Sequence, residues 1–244
     1  MPLDALSTST FTFIAQVDEA YVTLMHHADD AHLGGKLFYA GNLTEPARAA
    51  VVAANIAGAA TLAASADHIA AKQSMRDGTI DFLVNSLDEA LRILKNEIRK
   101  RETVAVCVTA EPVSIEQEMR HRGVQPDLVL SDLKAKQAHE ADLNTWLTLR
   151  TAQSPTLWLP KLDALALATL SPDASQTRRW LERAPRYLGR PAQNLRIVHT
   201  TQQHAGQFIS QITEQITNGA ITVPIEIDLG PWGNSEHKSL VPSP

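Results

Sequence analysis

The sequence is poor in cysteine, aromatics and long apolar runs, and each shortage excludes something. Its 244 residues include one cysteine, Cys107. A lone thiol closes no disulfide within a chain and builds no multi-cysteine zinc site, which fits a reducing compartment. Aromatics make up 5 % of the residues, while apolar residues reach 44 % and are mostly Ala, Leu, Ile and Val. That mixture favours helices packed on a parallel sheet over a β-sandwich. No apolar run approaches the length of a membrane span. Met1 to Gln16 has no basic segment followed by a long apolar core, so no secretory signal is expected there. The net charge of −5 comes with scattered Lys and Arg and no basic stripe, which argues against nucleic acid as a partner. These absences together predict a soluble, cytoplasmic protein with neither nucleic acid nor membrane as its partner.

What is present reads as alternating strands and helices. A helix is expected over Phe11 to Ala31, stopped by Gly34 and Gly35. Leu37 to Ala40 reads as a strand, followed by a turn and an Ala-rich helix from Glu45 to Ala60. A weak strand at Thr61 to Ala64 comes next. Ser86 is a good N-cap, with Asp88 and Glu89 in the first turn, and the helix ends in Arg99-Lys100-Arg101. Val104 to Val108 is the clearest strand, uniformly apolar as a strand covered on both faces should be. A helix over Ser114 to Arg122 closes at Gly123, and Asp127 to Leu130 is another strand. Residues 134–172 read as a helix, a turn and a connector. A helix carrying Trp180 and Leu181 follows Ser171-Pro172-Asp173, with a turn from Pro185 to Pro191. Leu195 to Val198 and Val223 to Ile227 are expected strands around a helix over Ala205 to Asn218. The expected fold is α/β: a doubly wound, Rossmann-like, mostly parallel sheet with helices on both faces. The expected organisation is a helical segment over 1–32, a Rossmann-like domain over 33–229 and a loose tail over 230–244.

The turn after the first strand carries the functional question. It has the position of a phosphate-binding loop, yet Asn42 to Arg48 contains no glycine. Glycine lets a backbone approach phosphate and adopt positive φ, and Pro46 removes one N–H donor from the helix start. Asn42 can adopt the left-handed conformation and Thr44 can cap the helix, so these residues are explained without a ligand.

The order of segments resembles the NAD-binding domain of urocanase. Leu33-Gly34-Gly35-Lys36-Leu37, Ala53-Ala54-Asn55-Ile56-Ala57-Gly58 and Ser86-Leu87-Asp88-Glu89-Ala90-Leu91 are similar to family segments in that order. Arg122-Gly123-Val124-Gln125-Pro126-Asp127-Leu128-Val129 is the most specific likeness. A second stretch holds Arg179-Trp180-Leu181, Gly189-Arg190-Pro191-Ala192 and Asn218-Gly219-Ala220 leading into Val223-Pro224-Ile225. The resemblance implies a Rossmann-like fold, NAD as the cofactor and urocanate hydratase chemistry. The sequence departs from that pattern where NAD would sit. Ser65 stands where an acidic residue would bind ribose. Ala110-Glu111 replaces a Gly-Asn pair, and Glu111 puts a negative charge near any pyrophosphate. Ser131-Asp132-Leu133-Lys134 replaces Asp-Gln-Thr-Ser. The family's long substrate-core segment is expected to be replaced by residues 134–172, and its Cys- and Gly-rich catalytic region to be lacking.

The expectation is therefore a urocanase-like protein without catalytic residues or a metal site, serving as a ligand-binding or interaction module. No cofactor is expected, with NAD retained only if the rewritten loop still binds it. The residual pocket is assigned to Gly41, Asn42, Thr44, His199, Thr200 and Thr201, the last three at a strand-to-helix junction suited to an anion or small ligand. A homo-oligomer or another protein partner is expected. The alternative is an NAD- or nucleotide-binding enzyme related to urocanate hydratase that uses His199, Thr200 or Thr201. A third reading makes the chain the complement of a separate urocanase core. His26, His27, Asp29, Asp30 and His32 form a polar cluster best read as a solvated helix end. Cys107 reads as a core thiol, and Trp146, Trp158, Trp180 and Trp232 as cover for core edges.

Overall fold

The computed structural model describes residues 8–28, 32–135, 145–230 and 236–242. The chain divides into two compact units, Ala15–Ala138 and Met1–Ile14 with His139–Pro244. The first helix, α1 (Thr8–Met25), contributes residues to both.

The unit formed by Ala15–Ala138 is built on a five-stranded parallel sheet in the order β3-β4-β2-β1-β5. Its strands are β1 (Leu37–Asn42), β2 (Ala60–Ala64), β3 (Phe82–Val84), β4 (Val104–Val108) and β5 (Leu128–Val129). Every residue of β2 and β4 is buried, which explains their uniform apolar composition. Alternate residues point to opposite faces. On one face Leu62, Val104, Val106 and Val108 pack with Leu87, Ala90 and Leu94 of α4 (Leu87–Lys100) and Ile115 and Met119 of α5 (Pro112–His121). Truncating one of these large side chains to alanine costs about 2–5 kcal/mol. α2 (Glu45–Ala57), buried along most of its length, packs on β1 and β2 with small Ala side chains. Ser86 caps α4 by accepting the Glu89 N–H, as its sequence position suggests. β3 and the preceding helix α3 (His68–Arg76) were not apparent in the sequence. β3 is too short for a periodic signal, and α3 buries only Ala71 and Ser74.

The chain runs outward from β1 through β2 and returns across it to β5. The direction of winding therefore reverses between β1 and β5. In open α/β sheets the crevice beyond the carboxyl ends of the strands at such a reversal is the usual ligand site.

The other unit differs from the expected continuation of the parallel sheet. Its four strands run in the order β7-β6-β8-β9, and every pairing is antiparallel. The central strand β6 (Thr145–Arg150) lies where a helix, turn and connector were expected. Its alternation of Leu147 and Leu149 with Thr148 and Arg150 is the two-residue period of a half-covered strand. β7 (Arg196–Thr200) and β8 (Ile225–Gly230) fall near the strands read from sequence. The tail expected to be loose contains β9 (Glu236–Leu240), which pairs with β8. Polar cross-strand contacts hold it: His237 Nδ1 lies 2.7 Å from Asp228, and Ser239 donates to Glu226 at 2.8 Å. Leu147, Leu149, Ile225 and Ile227 face a core closed by α7 (Pro155–Thr169) and α9 (Gln202–Thr217). Pro185, expected in a turn, lies inside α8 (Ser175–Leu188), whose buried stripe of Trp180, Leu181, Ala184 and Leu188 outweighs the lost hydrogen bond. Buried Arg196 reaches from β7 to Asp163 of α7 with contacts of 2.8 and 3.0 Å.

Candidate ligand cleft

A cleft of about 500 Å³ opens at the reversal between β1 and β5. That volume is within the range of small-molecule sites. Its strand wall comes from Tyr39, Ala40, Gly41 and Asn42 at the end of β1 and from Val129 of β5. Thr44 and Ser131 stand at its polar mouth, and Met119, Val124, Pro126 and Leu130 give it apolar surface. Helix α5 brings two charged side chains to the lining, Glu116 and Arg120.

Tyr39 is 7 % exposed, and its hydroxyl donates to Glu116 Oε1 at 3.2 Å. Burial raises the phenol pKa, and the adjacent Glu116 carboxylate raises it further. Tyr39 is thus a neutral donor throughout the physiological range. A bulge at Ala40 breaks the β1–β2 register between Tyr39 and Gly41. Gly41 has φ +66°, and a Cβ there would meet nothing within 4 Å. Conformation, rather than crowding, selects glycine at this position.

The segment beyond it follows a dinucleotide fingerprint in spacing only. Gly41 occupies the first glycine position of G-x-G-x-x-G, Leu43 the second and Pro46 the third. The second position normally admits the pyrophosphate to the backbone, and Leu43 is a buried side chain there. Thr44 has the extended backbone of an N-cap (φ −69°, ψ 168°), but its hydroxyl makes no cap hydrogen bond, contrary to its expected capping role. The Thr44 carbonyl accepts the Arg48 N–H at 2.9 Å. At the end of β2, Ser65 is buried and donates weakly to the Asp67 carbonyl at 3.4 Å. The nearby acid, Asp67, accepts from the Ile69 and Ala70 N–H groups at 2.9 and 3.0 Å and so caps α3. Glu111 is exposed at the start of α5 and makes no cap bond.

The run from Arg122 to Asp127 is a clasp. Arg122 pairs with Asp88 of α4 and with Glu118 of its own helix. Gly123 has φ +65° just after α5, and Val124 and Pro126 line the cleft. Asp127 Oδ2 accepts the Leu37 N–H at 2.7 Å, while its own N–H donates to the Leu37 carbonyl at 2.9 Å. The run thus fixes the starts of β1 and β5 and forms part of the wall.

Of the residues assigned to a residual pocket, Gly41, Asn42 and Thr44 share this cleft. His199, Thr200 and Thr201 do not line it and belong to the antiparallel unit. There Thr201 caps α9 by accepting the His204 N–H at 3.2 Å, and the His199 carbonyl accepts from Thr177 at 2.9 Å. Thr200 is buried at the end of β7. In the polar cluster, His32 Nδ1 accepts the Gly34 N–H at 2.9 Å and the His27 carbonyl accepts from Lys36 at 2.8 Å. Asp29 and Asp30 lie outside the described residues, as does Trp232. Among the described residues, no three His, Cys, Asp or Glu side chains gather as a metal site. Cys107 is fully buried, and desolvation pushes its thiol up to about 12, the opposite of an activated nucleophile. Trp158 and Trp180 are core residues, and the Trp180 indole donates to the Ile197 carbonyl at 2.6 Å. Among the described residues no helix is long and apolar enough to cross a membrane. Tyr39, Glu116 and Arg120 were missed from sequence. Glu116 and Arg120 carried one signal, the four-residue spacing of a carboxylate and a guanidinium on one helix face, and Tyr39 carried none.

A parallel sheet wound both ways from β1, with its cleft at the reversal, defines the Rossmann-like class. Residues 11–142 match the urocanase Rossmann-like domain, which is more than half of the chain. The chain belongs to the urocanase family. The match covers the parallel unit, whereas the second stretch of likeness, from Arg179 onward, lies outside it.

Proposed function

We propose that this chain is a non-enzymatic binding module of the urocanase family whose switch-point cleft takes a small molecule in place of NAD. The observation that carries this reading is the β1–α2 turn. Leu43, which is buried, and Pro46, which has no N–H to give, stand at the second and third glycine positions, so the turn lacks the close backbone cradle that a pyrophosphate needs. Two further features support it. Asp67 is committed to capping α3, and Glu111 adds negative charge at the start of α5. On this reading residues 134–172 stand in for the family's substrate-core segment, and the protein works in the cytoplasm. Exposed Phe82 on the edge strand β3 and exposed Ile69 on α3 favour a protein partner, with a second copy of the chain the simplest. A monodisperse monomer in sedimentation would count against the dimer.

A second reading keeps a nucleotide and an enzymatic role. Its support is Gly41, which retains the first glycine position with positive φ, and the Thr44 hydroxyl, which no cap bond engages. Thermal melting with and without NAD separates the two. A ligand that binds only the folded state raises the melting temperature with concentration. The binding-module reading expects no shift at millimolar NAD or NADH, and a rise of several degrees would reject it.

A further inference from the structure

The cleft contains two charges that have not neutralised each other. Glu116 and Arg120 are four residues apart on α5, the spacing at which a carboxylate and a guanidinium pair on a helix surface. Neither forms an ion pair among the described residues. Glu116 turns to the Tyr39 hydroxyl through Oε1, which leaves Oε2 available as an acceptor. Arg120, one turn further along, is exposed and lines the same cleft. Between and beside them the surface is apolar: Met119, Val124, Pro126, Val129 and Leu130.

We infer that the cleft binds a small zwitterion with an apolar body, an α-amino acid with an aliphatic or aromatic side chain. Glu116 receives the ammonium group, Arg120 receives the carboxylate, and the side chain lies on the apolar wall. Asn42, Thr44 and Ser131 give the polar mouth further hydrogen-bonding groups. Tyr39 holds the Glu116 carboxylate in place as a neutral donor, so the acceptor is set before the ligand arrives. A dinucleotide puts two phosphates at the α2 start, whereas this ligand needs only one anionic group, met by a side chain on α5. The inference rests on the binding-module reading.

The test is calorimetry on the full chain with phenylalanine and its two half-molecules. Phenethylamine lacks the carboxylate, and 3-phenylpropionate lacks the ammonium group. Phenylalanine is expected to bind, with each half-molecule at least tenfold weaker. In Glu116→Gln the advantage over 3-phenylpropionate disappears, and in Arg120→Gln the advantage over phenethylamine disappears. Unchanged melting temperatures of both variants establish that they fold. No heat with phenylalanine overturns the inference. So does a half-molecule that binds as tightly as the whole, or a variant that keeps full discrimination. Titrating NAD into the same samples separates the two layers. NAD binding rejects the binding-module reading, whereas silence from both NAD and phenylalanine rejects the amino-acid assignment alone.

Discussion

The parallel unit and the antiparallel unit solve the same burial problem with different side chains. In the parallel unit, β2 and β4 are buried on both faces, and small residues on β2 and α2 permit close helix–sheet packing. In the antiparallel unit, one face of the sheet meets α7 and α9 across large residues such as Trp158, Leu159 and Phe208. The second unit also depends on a buried charge pair, Asp163 with Arg196. The first instead uses backbone-directed polar clasps at strand starts, such as Asp127 on Leu37. Family likeness follows the first solution: the urocanase match covers 11–142. All four tryptophans lie in the other unit's sequence, so their fluorescence reports on that unit, and the two can be followed separately.

The largest expected effect is in the antiparallel unit. Arg196→Ala strands the Asp163 carboxylate in a buried site and removes the guanidinium bonds to the Ala192 and Leu195 carbonyls. Breaking such a pair costs about 3–5 kcal/mol. Urea unfolding followed by tryptophan fluorescence should show the loss, and an unchanged midpoint would refute the pair's role. Arg196→Met with Asp163→Leu is expected to recover much of it, because no buried charge remains.

A smaller effect is expected in the parallel unit. Asp127→Ala leaves the Leu37 N–H without its side-chain acceptor at the start of β1. An unsatisfied buried donor costs about 1–3 kcal/mol. Amide exchange at Leu37 should accelerate while the tryptophan transition stays in place. Equal loss in both units would break the comparison.

The gentlest test concerns Cys107. With its thiol pushed up to about 12 and no exposure, it should stay unmodified by thiol reagents in native buffer and react on unfolding. Rapid native labelling would mean that β4 opens easily.

The legibility of the sequence divided along the same line. Val104 to Val108 was read to the residue, and Ser86 and Gly123 were placed correctly as helix punctuation. These signals are local: an unbroken apolar run, a hydroxyl before an acidic turn, a glycine after a helix. β6 was not legible although its residues alternate, because the prolines and tryptophans close after it, Pro155, Trp158 and Pro160, carry the composition of a turn. β9 was missed because its five residues are nearly all polar, and pairing with β8 is what makes them a strand. At the site, Gly41, Asn42 and Thr44 were legible as the turn between the first strand and α2, although β1 runs two residues further than Ala40, to Asn42. The cleft's other charged wall was not, because it forms only when α5 is laid across the sheet beside Tyr39. The most specific family run, Arg122 to Asp127, was legible as a motif but not as a clasp, since its partners Leu37 and Asp88 are distant in sequence.

The central claim is that the rewritten turn from Gly41 to Pro46 has removed dinucleotide binding from a urocanase-type fold. The most direct test is calorimetric titration of NAD and NADH into the full chain after exhaustive removal of bound nucleotide. No heat of binding at millimolar ligand is the predicted result. Saturable binding at micromolar ligand would contradict it and favour the nucleotide-binding reading of the cleft.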